Sequence, residues 1–277
     1  MFTLVKNSLA FEIKDREYGL QDKGVSPKGA SDQLSFEIAK TLLGEPKNFV
    51  CFEIIFTTKI YFETDCTFTL TGAHYKEVFL HSQEGKLSLE HSSVYQANKG
   101  NFISLHHLQK GFRLYLMASS ELTSFKRVGL RRGEFKKFFS TNPNYIRLIK
   151  GPEFHYLKNS KKFLDNTFKI SKSSNLIGLR LESEDIEAIK YDIISSSVND
   201  GTIQLTKDGA IILLRHRQTT GGYPRIFSVI SADIDTLSQY SLGASIHFKF
   251  IKMSEAKKLL LQKEKELKNF KSSFLNL

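Results

Sequence analysis

Thiols, long apolar runs and the common nucleotide and metal motifs are scarce or missing in this chain of 277 residues. There are two cysteines, Cys51 and Cys66, and no Cys-x-x-Cys. That fits reduced thiols in a cytoplasmic protein better than a disulfide framework or a zinc site. No apolar run approaches the ~20 residues that a membrane-spanning helix needs, so no membrane partner is expected. The start, Met1-Phe2-Thr3-Leu4-Val5-Lys6, lacks a basic region followed by an apolar one, and no signal peptide is expected. A Gly-x-x-x-x-Gly-Lys-Ser/Thr phosphate loop, a Gly-x-Gly-x-x-Gly turn and a Gly-x-Ser-x-Gly elbow are all absent. The histidines include the pair His106-His107, but neighbours on a strand point to opposite faces and chelate poorly, so no metal site is expected.

What is present is ordinary for a globular protein: 40% apolar and 25% charged residues. The length allows one large domain or two of common size. The formal charge is +11, and residues 126–172 hold thirteen Lys/Arg against Glu134, Glu153 and Asp165, a local excess of +10. Such a stretch could neutralise phosphates. Its basic residues are scattered through apolar segments with no nucleic-acid module, so a solvated face or a face for an acidic partner is expected, and no nucleic acid.

Along the chain, Thr3-Leu4-Val5 and Leu9-Ala10-Phe11-Glu12-Ile13 read as strands. A polar loop from Tyr18 to Gly29 carries Gln21, Asp22 and Lys28, and leads into a helix near 32–43. Asp32 or Ser31 caps that helix, and Leu34, Ile38 and Leu42 face inward. The free N–H groups at its start would also favour an anion, so Asp32 is either a cap, a ligand-facing carboxylate, or both. From Val50 to Leu116, short apolar runs such as Phe52–Phe56, Lys59–Phe62, Thr67–Leu70, Glu77–Leu80 and Phe112–Leu116 predict many short strands. Glu53, a carboxylate in an apolar strand, is a hydrogen-bond hub or a functional acid. Residues 117–145, with turns at Gly129–Glu134 and Thr141–Asn144, read as the join between two halves. A second β-rich half follows, with a short helix within Asp233–Tyr240 and a last strand at Ser245–Phe250. A C-terminal amphipathic helix capped by Ser254 carries the stripe Ala256, Leu259, Leu260, Leu267 and Phe270. It would dock on its own chain or on a partner chain in preference to a membrane surface. The division is therefore 1–140, 141–253 and 254–277.

The stretch Arg217-Gln218-Thr219-Thr220-Gly221-Gly222-Tyr223-Pro224 lies between two apolar runs and reads as strand–loop–strand. Gly221 and Gly222 can take φ > 0 and approach a ligand closely. Gln218 both donates and accepts, the threonine hydroxyls do likewise, and Tyr223 offers a flat face with a polar tip. The alternative is a polar Gly-Gly hairpin turn.

Gln218–Pro224, followed by Val229-Ile230-Ser231-Ala232-Asp233, resembles the signature of the family of 5-oxoprolinase C subunits, also called the biotin-dependent carboxyltransferase-domain or allophanate hydrolase subunit 2-like family. Gly201-Thr202-Ile203-Gln204-Leu205, Gln21-Asp22, Gly24–Asp32 and Ser174-Asn175-Leu176-Ile177-Gly178-Leu179-Arg180-Leu181 resemble further elements in family order. The resemblance implies a mainly β fold of two cyclophilin-like β-barrel halves with a few short helices and the C-terminal helix. It implies a role as the C component of an ATP-dependent 5-oxoprolinase that hydrolyses 5-oxoproline (pyroglutamate) to L-glutamate together with its A and B subunits. ATP with Mg would be the co-substrate. One place for it would be where the B component meets this chain, and no biotin would be attached here. On this reading Gln218, Asp32 and Asp22 are the catalytic candidates. Thr219, Thr220, Gly221, Gly222, Tyr223, Asn175, Arg180 and Gln204 are the substrate-binding candidates. Two other readings keep the fold. One is a regulatory protein that antagonises a histidine-kinase inhibitor resembling the B component; the other is a carboxyltransferase component of a urea carboxylase-like enzyme. The chain departs from the family pattern in places. Lys23-Gly24-Val25 follows Gln21-Asp22 at once, without the family's arginine, and His216 stands where many members have Asp.

Overall fold

The computed structural model describes residues 1–121, 144–182 and 186–275. The chain forms two compact units that are not contiguous in sequence. One takes Met1–Lys14, Asp32–Ser140 and Lys265–Leu277; the other takes Asp15–Ser31 and Thr141–Glu264. Residues 15–31 thus group with the second half, and the C-terminal helix is shared out rather than standing alone, which a linear split at 140 and 253 does not capture. The turn at Gly129–Glu134 and most of the Thr141–Asn144 turn lie outside the described residues, as do the basic residues between 126 and 143.

The first unit is an eight-stranded sheet. Its strands are β1 (Phe2–Leu4), β2 (Leu9–Ile13), β3 (Val50–Phe56), β4 (Lys59–Phe62), β5 (Cys66–Ser82), β6 (Gly85–Ser88), β7 (Val94–Ala97) and β8 (Phe102–Ser119). β8 is the spine, with β5 along one side and β3 and β4 sharing the other. Unlike the second unit, its described strands close into no ring. Thr67–Leu70 and Glu77–Leu80, expected as separate strands, are two ends of β5, which runs for 17 residues. Its register against β8 shifts between Gly72 and His74 and again before Tyr75, so one strand bends where the sequence suggests a break. Ile54, Phe62, Phe68, Leu114 and Leu116 fill the core. Both cysteines are buried thiols, and burial pushes the Cys66 pKa up to about 11.

Helix α1 (Gln33–Leu42) starts at Asp32, whose carboxylate accepts the Ser35 N–H at 3.0 Å and the Ser35 hydroxyl at 2.6 Å. Beneath it, Glu53 is fully buried and accepts from Arg113 Nε at 2.8 Å and the Tyr115 hydroxyl at 2.7 Å. The Tyr115 oxygen in turn accepts the Asp32 N–H at 2.8 Å. Glu53 is the hub of the two roles the sequence left open. Burial first, then the Glu53 charge, raises the Tyr115 pKa well above its ordinary value, so its proton stays in place.

The second unit is a closed barrel. β9 (Ile146–Lys150), β10 (Thr167–Ile170), β11 (Gly178–Glu182), β13 (Thr202–Thr206), β14 (Gly209–Leu213), β16 (Arg225–Val229) and β17 (Ser245–Phe250) close in the order β10-β11-β14-β13-β16-β9-β17. A parallel β9–β17 contact joins strands far apart in the chain. Phe163 of α2 (Ser160–Asp165), with Phe168, Phe227 and Phe248, plugs the interior. A short helix, α3 (Ile234–Ser238), follows β16. The last helix, α4, runs over Met253–Leu275. Its first turn bonds back to the Lys252 carbonyl, so the cap falls at Lys252 and Ser254 is already helical. Ala256 packs with Ile230, Ala232 and Ile251, while Phe270 packs with Ile38 and Leu42. The apolar stripe is docked on its own chain. Among the described residues no helix is long and apolar enough to cross a membrane.

Candidate functional site

The polar stretch at 217–224 is not a hairpin. β14 and β16, which flank it, do not pair with each other; both pair with β13, which lies between them. The loop must therefore cross over β13. Every residue of β13 is buried. Ile203 and Leu205 point into the barrel core, so alternation puts Gln204 on the outer face, where the loop covers it. A bulge between Ile203 and Gln204 in the β13–β16 ladder re-aims the side chain there.

The close approach explains the first glycine. A Cβ on Gly221 would stand 2.5 Å from Gln204 Nε2, whereas one on Gly222 would meet nothing nearer than the Ile193 carbonyl oxygen at 3.6 Å. Neither glycine has a positive φ, contrary to the expectation from the Gly-Gly pair. Gly221 is small because it lies on Gln204. That side chain donates to the Tyr223 carbonyl at 3.3 Å. On its other edge the loop is pinned by a two-residue ladder, β12 (Ser196–Ser197) to β15 (Thr220–Gly221), by Val198 N–H to the Thr219 carbonyl and by Ile193 N–H to the Gly222 carbonyl. Arg225, just past Pro224, grips Glu153 with Nε and an outer nitrogen at 2.7 Å each and donates to the Ser197 carbonyl. The hydrogen bonds from Arg225 hold the Glu153 carboxyl below its usual range.

A variant pair tests this account. Gly221→Ala is expected to lose about 1–3 kcal/mol by overpacking against Gln204. Gly222→Ala should stay within about 0.5 kcal/mol of the parent. Urea midpoints of the two variants decide it, and equal midpoints would mean that Gln204 yields freely.

On this scaffold the side chains of Gln218, Thr219, Thr220 and Tyr223 make no hydrogen bond to any described residue, and Gln218, Thr220 and Tyr223 are exposed. They form a rigidly backed strip of amide, hydroxyl and phenol. The segment 15–31 belongs to the same unit. Its Ser31 carbonyl accepts from Arg215 Nε, and the Gly29 carbonyl lies 3.1 Å from His216 Nε2. Arg16 donates to Asp200 at 3.0 Å, and Arg217 Nε lies 3.0 Å from the other oxygen of Asp200. Arg217 also donates to the Gln218 carbonyl at 3.0 Å. Gly29 has φ 79°, and a Cβ there would stand 2.3 Å from Cγ of Arg16, so glycine leaves the groove in which the arginine stem lies. Arg215, Asp235 and Lys263 complete a second ionic group beneath the loop.

The remaining sequence candidates hold other places. Asp22 is exposed on a single 3-10 turn, Gln21–Lys23. Asp32 belongs to the first unit and is engaged as the cap of α1. Asn175 accepts the N–H groups of Ile177 and Gly178, which shapes the turn into β11, and no described hydrogen bond ties it to the loop. Arg180 is exposed on β11 between the buried Leu179 and Leu181. Among the described residues there is no group of three or more His, Cys, Asp or Glu able to hold a metal ion. Arg16, Asp200 and the Arg225–Glu153 clamp carried no motif signal; charged residues in loops become informative only once the barrel brings them together.

A family model described as carboxyltransferase domain, subdomain A and B, matches residues 23–129 and 126–250. The chain is 27% identical over 300 residues to the C subunit of 5-oxoprolinase from Escherichia coli (strain K12), spanning 93% of this chain and 94% of that one. It is 27% identical over 278 residues to the C subunit of 5-oxoprolinase from Haemophilus influenzae, at 89% and 90% coverage. The fold superposes on the urea amidolyase of Kluyveromyces lactis with a TM-score of 0.81 at 18% identity, covering 97% of this chain and 20% of that one. The urea carboxylase of Kluyveromyces lactis gives a TM-score of 0.80 at 18% identity, with 97% and 29% coverage. This chain spans under a third of either urea enzyme, and at that identity the likeness is one of fold.

Proposed function

Starting from the fact that the chain belongs to the carboxyltransferase domain family, subdomain A and B, we propose that it is the C component of an ATP-dependent 5-oxoprolinase working in the cytoplasm with its A and B subunits. The observation that carries this reading is the end-to-end match, at similar length, to two proteins named as that component. The urea enzymes are several times longer and lend only the fold.

The site chemistry agrees with the reading. A lactam is a stable amide. Transfer of the γ-phosphoryl group of ATP to the lactam oxygen breaks the terminal P–O bond, releases ADP and leaves an imidate phosphate. Water then adds to that carbon, and the ring C–N bond of the tetrahedral adduct breaks, which frees the amine and leaves an acyl phosphate. A second water displaces phosphate to give the carboxylate of glutamate. Such a path needs donors placed where negative charge develops, and no covalent nucleophile on the protein. Gln218, Thr219 and Thr220 are assigned to the lactam, Tyr223 to its flat face, and Gln204 to positioning the loop through Gly221. Magnesium would arrive on the ATP phosphates. Asp22 is the exposed carboxylate available for a proton.

The test is glutamate release from 5-oxoproline and ATP by this protein alone and then with the A and B components. Turnover only in the complete mixture supports the proposal. Stable association with the B component and no turnover would replace it with a regulatory binding role. In the active mixture, Gln218→Ala should lower kcat by about a hundredfold, the scale of one lost transition-state donor. Its stability should be unchanged, since the side chain is exposed. Full activity in that variant would remove Gln218 from the chemistry.

A further inference from the structure

We propose that Arg16 and Arg217, balanced by Asp200, form a receptor for a singly charged carboxylate at the head of the Gln218 loop. All three side chains are largely buried, at 11%, 7% and 18% exposure for Arg16, Arg217 and Asp200. Among the described residues Asp200 is the one carboxylate within ion-pair reach of either guanidinium. Two cations therefore share one anion, which leaves an excess of one positive charge away from water. Burial of an uncompensated charge is costly, so the excess calls for a counter-charge.

The hydrogen bonds are also incomplete. Arg16 spends one outer nitrogen on Asp200, and its Nε–H is buried without an acceptor. Arg217 spends one outer nitrogen on the Gln218 carbonyl. Its Nε is 3.0 Å from Asp200 Oδ1 but poorly aimed at it, and both of these atoms are buried without a well-formed hydrogen bond. Burial lowers the Arg217 pKa; the Asp200 charge opposes that shift and the Arg16 charge adds to it. Guanidinium forks match the planar, two-oxygen shape of a carboxylate. One carboxylate brings the group to neutrality, whereas a phosphate dianion overshoots. Arg217 leads directly into Gln218, so an anion held here presents its bearer to the open amide and hydroxyls. That the bearer is 5-oxoproline, whose ring carries a single carboxylate, rests on the function proposed above; the anion site itself rests on the charges and donors.

Calorimetric titration of the whole protein in chloride-free buffer tests it, with 5-oxoproline, acetate, inorganic phosphate and the uncharged lactam 2-pyrrolidinone as probes. The expected result is binding of the carboxylates over 2-pyrrolidinone and phosphate. Arg16→Gln, which keeps an alkyl stem in the Gly29 groove, should weaken carboxylate binding by about tenfold, the scale of one charge-assisted hydrogen bond. Asp200→Asn removes the competing anion and should tighten binding by about tenfold, a change of sign that a merely weakened fold does not produce. If acetate binds in an Arg16-dependent way and 5-oxoproline does not bind, the carboxylate site stands and 5-oxoproline is excluded as its ligand. No carboxylate binding, binding indifferent to both variants, or tighter binding of phosphate would overturn the proposal.

Discussion

Glu53→Ala is expected to cost about 3–5 kcal/mol, the scale found when one member of a buried ion pair is removed. Glu53 has no exposed surface, and the Arg113 side chain that it holds is 3% exposed. Alanine would leave that guanidinium buried without its carboxylate and would take the acceptor from the Tyr115 hydroxyl. The damage extends further, because the Tyr115 oxygen also receives the N–H of Asp32 at the head of α1. Glu53 and Tyr115 are directly paired across β3 and β8, so the loss falls on the spine of the first sheet. Urea unfolding followed by circular dichroism measures it. The double variant Glu53→Leu with Arg113→Met, which removes both charges and keeps the volume, should recover much of the loss. A midpoint for Glu53→Ala within the error of the parent would show that the network does not hold the unit together.

Acidification should destabilise the first unit through His91. Its Nε2 accepts the Tyr75 N–H at 3.1 Å, which fixes a neutral ring with the proton on Nδ1, and its ring stacks on His74 at a centroid distance of 4.3 Å. Burial, and next the neighbouring His74, lower its pKa from 6.5 to about 4. The folded state therefore favours the neutral ring. The resulting stability is fully present above pH 6.5 and is lost as the pH falls towards 4, because the unfolded chain takes up a proton there and the folded chain does not. At about 1.36 kcal/mol per pKa unit the loss amounts to about 3 kcal/mol. Unfolding free energies measured between about pH 7 and pH 4 should fall more steeply for the parent than for His91→Gln. Parallel curves would show that the imidazole is protonated in the fold at no cost.

Local periodicity made much of the fold readable. β3, β4, β14, β16 and β17 lie where short β-branched runs are bounded by turn residues, and α1 begins at the carboxylate best suited to cap it. Long strands were harder to see. β5 reads as two pieces because its bend is resolved by pairing with β8, and pairing is not local information. The same limit applied to the site. The Gln218 loop stood out by composition, but the reason for Gly221 lies in Gln204, seventeen positions earlier, and is visible only after β13 is placed beneath the loop. Asp200 and Arg16 are 184 residues apart, and no spacing rule joins them.

The order in which parts of the chain become available constrains assembly. The barrel closes by pairing β9 with β17, so a ribosome must release the chain to Phe250 before the ring can form. The first unit waits longer still, since Phe270 packs on Ile38 and Leu42, and Lys271 pairs with Glu37 and Glu45. Segment 15–31, among the first to emerge, finds Asp200, Arg215 and His216 only when translation is well advanced. Neither unit is complete until the final helix is synthesised. The strands of the first sheet are all made by Ser119, but the barrel keeps β9 and β10 as unpaired edges until β17 is made, a condition under which chains aggregate or recruit chaperones.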